Sequence, residues 1–254
     1  MPIAIVREVS PSIAHCELTH VERQPIDYER AVAQHEEYVR ALESLGCRAI
    51  RLPALAAHPD AVFVEDCAVV VDEVAVITLP GADSRQGEVA SIADALRPHR
   101  KRAFIEAPAT LDGGDVLRAG RLVRVGRTAR TNDDGISQLR AILEPLGYDV
   151  GPAELTGCLH LKTAVTPVAP GILLINREWV DASQFPGFDF VDVDPSEPFA
   201  GNALLVGDAV ILSSAFPRTR ARLEARGIRV VTVDATELAK AEGGVTCCSV
   251  LVEG

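Results

Sequence analysis

The chain has 254 residues, 48% of them hydrophobic, and a formal charge of −11, with a sequence pI near 5.0. That length buries a large core and lies within the range that barrels and propellers occupy as one unit. The acidic balance excludes the basic surface on which nucleic-acid and anionic-membrane binding depend and favours a small cationic partner; no apolar run approaches the roughly 18 residues of a membrane span, so a cytoplasmic protein is expected.

In chain order, IAIVREV reads as a strand, YERAVAQHEEYVRALESLG as an amphipathic helix and CRAIRLP as a second strand. FVEDCAVVVDEVAVITLP predicts a hairpin turning near Asp72 and Glu73, followed by a helix over SRQGEVASIADALRPH and a strand over KRAFIEAP. LDGGDVLRAGRLVRVG repeats the hairpin with its turn at Gly120, NDDGISQLRAILEPLG the helix, closing on Gly147, and YDVGPAEL the strand. HLKTAVTPVAPGILLIN is a third hairpin, turning at Pro170 and Gly171; an irregular stretch stands where a helix is due, then the strand FDFVDVD. FAGNALLVGDAVILSS is a fourth, turning at Gly207 and Asp208, with RTRARLEARG as helix and RVVTVD as strand. A fifth unit exists only if the terminal GGVTCCSVLV pairs with IAIVREV.

The hairpins begin near residues 63, 111, 158, 200 and 244, a period of roughly 42 to 48 residues, of the kind that marks repeat architectures. The expected fold is α/β: a closed ring of five ββαβ repeats, a five-bladed α/β propeller over residues 1–254, with the last blade sewn from the N- and C-terminal strands. An open doubly wound sheet also explains the alternation of strands and helices. It does not explain a hairpin before every helix.

In a ring, residues at equal phase of the repeat converge on one end of the axis. Glu65 and Asp66 open the first hairpin, Asp112 the second, His160 the third, and Cys247 the last. Each has a structural alternative: a hydrogen-bonded core histidine, a small buried thiol, a turn or strand-end aspartate. Together they support nucleophilic attack on carbon, with the histidine moving protons. Carboxylates beside a thiol raise its pKa unless the ligand is cationic, which points to a planar guanidinium and to products carrying a urea group and an amine. Cys16, Cys47, Cys67, Cys158, Cys247 and Cys248 lack C-x-x-C spacing, so free thiols are expected, with no metal and no cofactor.

FVED at 63–66, LDGGDVL at 111–117, RTN at 130–132, HLK at 160–162 and GGVTCCSVL at 243–251 resemble the dimethylarginine dimethylaminohydrolase family of the guanidine-modifying (pentein) superfamily. The resemblance implies hydrolysis of asymmetric N-methylated arginines to citrulline and dimethylamine or methylamine. By motif, Cys247 is similar to the nucleophile, His160 to the general acid/base and Asp112 to the carboxylate that orients it. Asp66, with Glu65 beside it, matches the acid that holds the guanidinium. Asp60 matches a residue at the substrate's amino-acid end, Phe63 an apolar wall, and Arg85 and Arg130 the arginines at the α-carboxylate. Leu18 resembles a residue of a mobile closing loop, and Ala241 a position that acts through its carbonyl.

Arginine and agmatine deiminases of the same superfamily carry an aspartate two residues after the histidine, where this chain has Lys162. A non-catalytic binding protein on the same ring is the alternative of another class. A monomer or homodimer is expected. Strand alternation would turn Cys247 toward the axis and Cys248 toward the helices.

Overall fold

The computed structural model describes residues 1–253. Its strands form five three-stranded sheets. The first blade comprises β3 (Ala68–Val70), β4 (Val74–Ile77) and β5 (Lys101–Phe104); the second β6 (Val116–Ala119), β7 (Leu122–Gly126) and β8 (Asp149–Ala153). The third comprises β9 (Val165–Ala169), β10 (Ile172–Ile175) and β11 (Asp189–Asp192); the fourth β12 (Leu204–Val206), β13 (Ala209–Ser213) and β14 (Arg229–Val233). The terminal blade joins β15 (Val250–Val252) to β1 (Ile3–Arg7) and β2 (Arg48–Leu52).

Every blade repeats one pattern, an antiparallel hairpin whose second strand then pairs parallel with the strand after the crossover. The terminal blade reproduces it from separate chain ends: Ile3 faces Val252 and Ile5 faces Val250 antiparallel, while β1 and β2 run parallel. The crossovers are helical because a parallel return needs a long connection. They are α1 (Tyr28–Ser44), α2 (Val89–Leu96), α3 (Asp133–Leu143) and α5 (Pro217–Ala225), with α4 (Leu161–Ala164) and α6 (Thr236–Ala239) as short additions. Asp27 and Asn132 cap α1 and α3 by accepting the N–H groups of Arg30 and Gly135. The third crossover lacks a helix, as its sequence suggests, and holds only a 3-10 turn at Ala182–Gln184.

The ring closes through five apolar cores, each shared by two neighbouring blades. Val76 meets Val123 between the first and second blades, Leu117 meets Leu173 between the second and third, and Leu174 meets Val210 between the third and fourth. Ile211 shares a core with Val6, and Ile5 one with Ile77, on the two sides of the terminal blade. Consecutive strand residues therefore serve opposite cores, which explains strands that are apolar on both faces rather than alternating.

One expectation needs correction. The first strand of each hairpin starts several residues later than the apolar pattern predicts, after a helical turn: Val64–Cys67, Gly113–Asp115, α4 and Pro198–Gly201. GGVTCC is likewise turn rather than strand. Close packing at the axis overrides the β-branched character of these stretches. A Cβ on Gly113 would sit 2.0 Å from the carbonyl oxygen of Glu65, and one on Gly114 only 2.7 Å from Nδ1 of His160. Among the described residues no helix is long and apolar enough to cross a membrane.

Candidate active site

The turns, not the strands, carry the reactive side chains. Asp66 lies in the first turn, Asp112 caps the second, His160 caps α4, and Cys247 lies in the turn before β15. Asp66, His160 and Cys247 line one narrow cavity of about 20 Å³, room for about one water. Phe63, Asp60, Arg85, Arg130 and Ala241 also line it, as do Glu17, Leu159, Glu242 and Gly243.

Hydrogen bonds across the blades fix the constellation. Oδ2 of Asp112 lies 3.0 Å from Nε2 of His160, and Oδ1 accepts the N–H of Gly81 at 2.9 Å. Gly114 donates its N–H to Oδ1 of Asp66 at 2.9 Å; that oxygen lies 4.0 Å from Nδ1 of His160. Asp115 anchors the histidine's turn by accepting the N–H of Leu161, while Thr128 and Thr131 donate to its other oxygen.

These surroundings set the charges. Burial opposes protonation of His160, but Asp66, Asp115 and Asp112 outweigh it and raise the imidazole to about 9. Burial likewise works against ionisation of Asp66, yet His160 and Arg85 hold its carboxyl down at about 2. Burial, reinforced by Glu65 and Asp66, pushes the Cys247 thiol up to about 12. At neutral pH the resting site thus pairs a thiol with an imidazolium. Asp66, Asp112 and His160 each present an atom within 4.8 Å of the others, a spacing that would admit a metal ion, but these atoms already hold one another and the backbone.

The two arginines differ. The Arg85 guanidinium is buried, donating to Glu88 through Nε and Nη2, to Asp66 through Nη1, and to the carbonyls of Asp60 and Phe63. Arg130 has no ion pair or hydrogen bond from its guanidinium among the described residues, which leaves its fork open. Asp60 accepts the N–H of Glu17 at 3.1 Å, and burial raises its carboxyl to about 6. Leu18 packs half-buried against the core under the 16–24 loop, and Glu17 rather than Leu18 lines the cavity. The loop is pinned by Glu242, whose carboxylate accepts the N–H groups of Thr19 and His20. Glu242 is held at φ 56, in the left-handed region.

Glu65 lies beneath Cys247 rather than in the cavity wall. Its N–H donates to the Cys247 carbonyl at 3.1 Å, and its carboxylate accepts from Lys162 at 2.6 Å and from Thr246 at 2.8 Å. The backbone there is a turn, so strand alternation does not separate the two thiols. Cys247 Sγ accepts the Gly244 N–H at 3.3 Å, whereas Cys248 Sγ donates to the Gly244 carbonyl and packs in the core that α1 covers with Tyr38. Sequence reasoning passed over Asp115, Glu88, Asn202 and Glu242. The second aspartate of LDGGD was a visible signal for Asp115, and Glu88 lies only three residues from Arg85; Asn202 and Glu242 act through contacts distant in sequence.

Over 249 residues, 97% of this chain and 95% of the relative, the sequence is 41% identical to N(G),N(G)-dimethylarginine dimethylaminohydrolase of Streptomyces coelicolor. Over 225 residues, 88% of this chain and 89% of the relative, it is 37% identical to the protein of that name from Pseudomonas aeruginosa. The solved Pseudomonas aeruginosa structure, a cysteine-to-serine variant complexed with citrulline, matches with a TM-score of 0.93 and 35% identity over 98% of both chains. The N-terminal domain of the cyanobacterial arginine dihydrolase ArgZ matches with a TM-score of 0.88 at 21% identity, over 99% of this chain and 97% of that one, and so shares the fold. No protein-family model matches the chain. Fold alone unites proteins at such low identity, but 41% and 37% along most of the length goes further: the chain belongs to the dimethylarginine dimethylaminohydrolase family, with the five-bladed α/β propeller of the pentein superfamily.

Proposed function

We propose that the protein hydrolyses asymmetric N-methylated arginines, dimethylarginine and monomethylarginine, to citrulline and dimethylamine or methylamine. The observation that carries this reading is the meeting in one cavity of a buried thiol, the His160 imidazole and the Asp66 carboxylate, with the open fork of Arg130 and the Asp60 carboxylate in the same walls. A guanidinium held by Asp66 supplies the positive charge that the Cys247 thiol lacks at rest, and the thiol releases its proton to solvent. The thiolate attacks the guanidinium carbon. His160 gives its proton to the methylated nitrogen as that C–N bond breaks, leaving a thiouronium on Cys247. The neutral imidazole then takes a proton from water as its oxygen bonds to the same carbon; the C–S bond breaks, and the thiolate recovers a proton as the urea forms. Asp112 keeps the ring oriented through both steps.

Lys162 supports this reading over a deiminase. Its ammonium pairs with Glu65 at 2.6 Å and adds no acid to the cavity. The test is citrulline formation from arginine, monomethylarginine and the two dimethylarginine isomers. Turnover of asymmetric dimethylarginine should exceed that of arginine by orders of magnitude; comparable rates, or activity confined to the symmetric isomer, would overturn the assignment.

A further inference from the structure

The fourth blade brings neither acid, base nor nucleophile to the axis. After its helical turn it presents Asn202, 7% exposed, and that side chain grips the residue before the nucleophile. Oδ1 of Asn202 accepts the N–H of Thr246 at 3.0 Å, while Nδ2 donates to Oγ1 of Thr246 at 3.0 Å and to the Lys162 carbonyl at 3.3 Å. Thr246 is itself 2% exposed. Its hydroxyl donates to Oε2 of Glu65 at 2.8 Å and lies 3.9 Å from Sγ of Cys247.

A hydroxyl has one proton and two lone pairs. With the Asn202 amide occupying one lone pair, the remaining freedom of Thr246 is the direction of its proton, toward the Glu65 carboxylate or toward the sulfur. Lys162 stays on Oε1 of Glu65 at 2.6 Å in either case, while Oε2 gives up the Thr246 hydroxyl when it turns. Among the described residues the sulfur otherwise receives only the Gly244 N–H, at 3.3 Å, too little for a buried anion. We propose that Thr246 is a catalytic hydroxyl, turning its hydrogen bond from Glu65 to Cys247 as the thiolate forms, and that Asn202 is the positioning residue that aims it. No proton is transferred in this turn; the thiol proton leaves as described above.

The groups that bear on the Cys247 thiol come from several elements. Glu65 and Asp66 approach from the first turn and His160 from the third, with Lys162 behind Glu65. Cys248 adjoins it, Tyr38 reaches from α1, and Glu242 borders the cavity. Of these, only Glu65 loses a partner on substitution at Thr246, and that loss favours its neutral form, which would ease ionisation of the thiol, so a shift to higher pH reports on the hydroxyl.

This inference rests on the reading of Cys247 as nucleophile, and its primary measurement needs no turnover: the pH profile of Cys247 alkylation by iodoacetamide, assigned by fragmentation of the peptide that also holds Cys248. Thr246→Val keeps the shape and loses the hydroxyl. It should move the profile to higher pH and slow alkylation about tenfold at fixed pH, the scale of a hydrogen bond to a charged group. Thr246→Ser should stay within about twofold of the parent. Asn202→Leu, which keeps the volume and adds neither a donor nor a charge, should behave as Thr246→Val does. In turnover, kcat should fall in proportion with KM little changed. An unshifted profile in Thr246→Val, or a serine variant as impaired as the valine one, would overturn the proposal. A shifted profile in a protein whose parent forms no citrulline would leave it standing and sink the proposed function instead.

Discussion

The carboxylate of Asp112 joins two blades, with Oδ2 3.0 Å from Nε2 of His160 and Oδ1 accepting the Gly81 N–H at 2.9 Å. Removing its charge leaves the shape but lowers the affinity of the imidazole for its proton. Asp112→Asn should cut kcat about 100-fold and move the alkaline limb of the kcat–pH profile to lower pH, because less imidazolium remains to protonate the leaving amine. An unchanged alkaline limb would remove Asp112 from that role.

Asp60 offers a second pH signature. Its carboxyl is raised to about 6 by burial, so it takes up a proton as pH falls through that value and can no longer face an ammonium. KM for dimethylarginine should rise about tenfold per pH unit below 6. Asp60→Asn should raise KM above pH 6, converge with the parent below it and so flatten that dependence; a parent KM constant from pH 7 to 5 would contradict the assignment.

The 16–24 loop is held by Glu242, which accepts the N–H groups of Thr19 and His20. Glu242→Gly removes the latch and relieves a left-handed backbone that costs a side-chain-bearing residue about 1–2 kcal/mol. Hydrogen exchange at those two amides should accelerate while the melting temperature holds or rises. Unchanged exchange would show that the loop is fixed by other contacts.

Glu88 is 1% exposed and meets Arg85 through both carboxylate oxygens. Glu88→Ala leaves a buried guanidinium short of a partner and should cost about 3–5 kcal/mol in urea unfolding. A loss below about 1 kcal/mol would mean that Asp66 and the two carbonyls suffice.

The repeat and its closure were legible because β-branched runs and helical spacing recur, and β1 does pair with β15. The turns that carry the site were not. VEDC and VTCC read as strand by composition, and only the approach of Gly113 to Glu65 and of Gly244 to Asn202 explains why the chain coils there. The convergence of Asp66, His160 and Cys247 followed from equal phase in the repeat, which survives a change from strand to turn. Arg85 and Arg130 looked equivalent by motif, and only the folded positions of Asp66, Glu88 and the carbonyls of Asp60 and Phe63 distinguish the enclosed guanidinium from the open one. Asn202 carried no signal, since its role exists only once the fourth turn lies against Thr246.

The antiparallel pairing of Ile3 with Val252 also has a kinetic side. Neighbouring blades can meet through short separations in sequence, but the terminal blade requires strands from opposite ends of the chain, the most non-local pairing in the molecule and the slowest kind to form. Cys247 sits just before that strand, and the loop latched by its neighbour Glu242 follows the first one. The nucleophile and its cover are therefore completed by the same closure, and an intermediate with four finished blades would be well ordered yet inert.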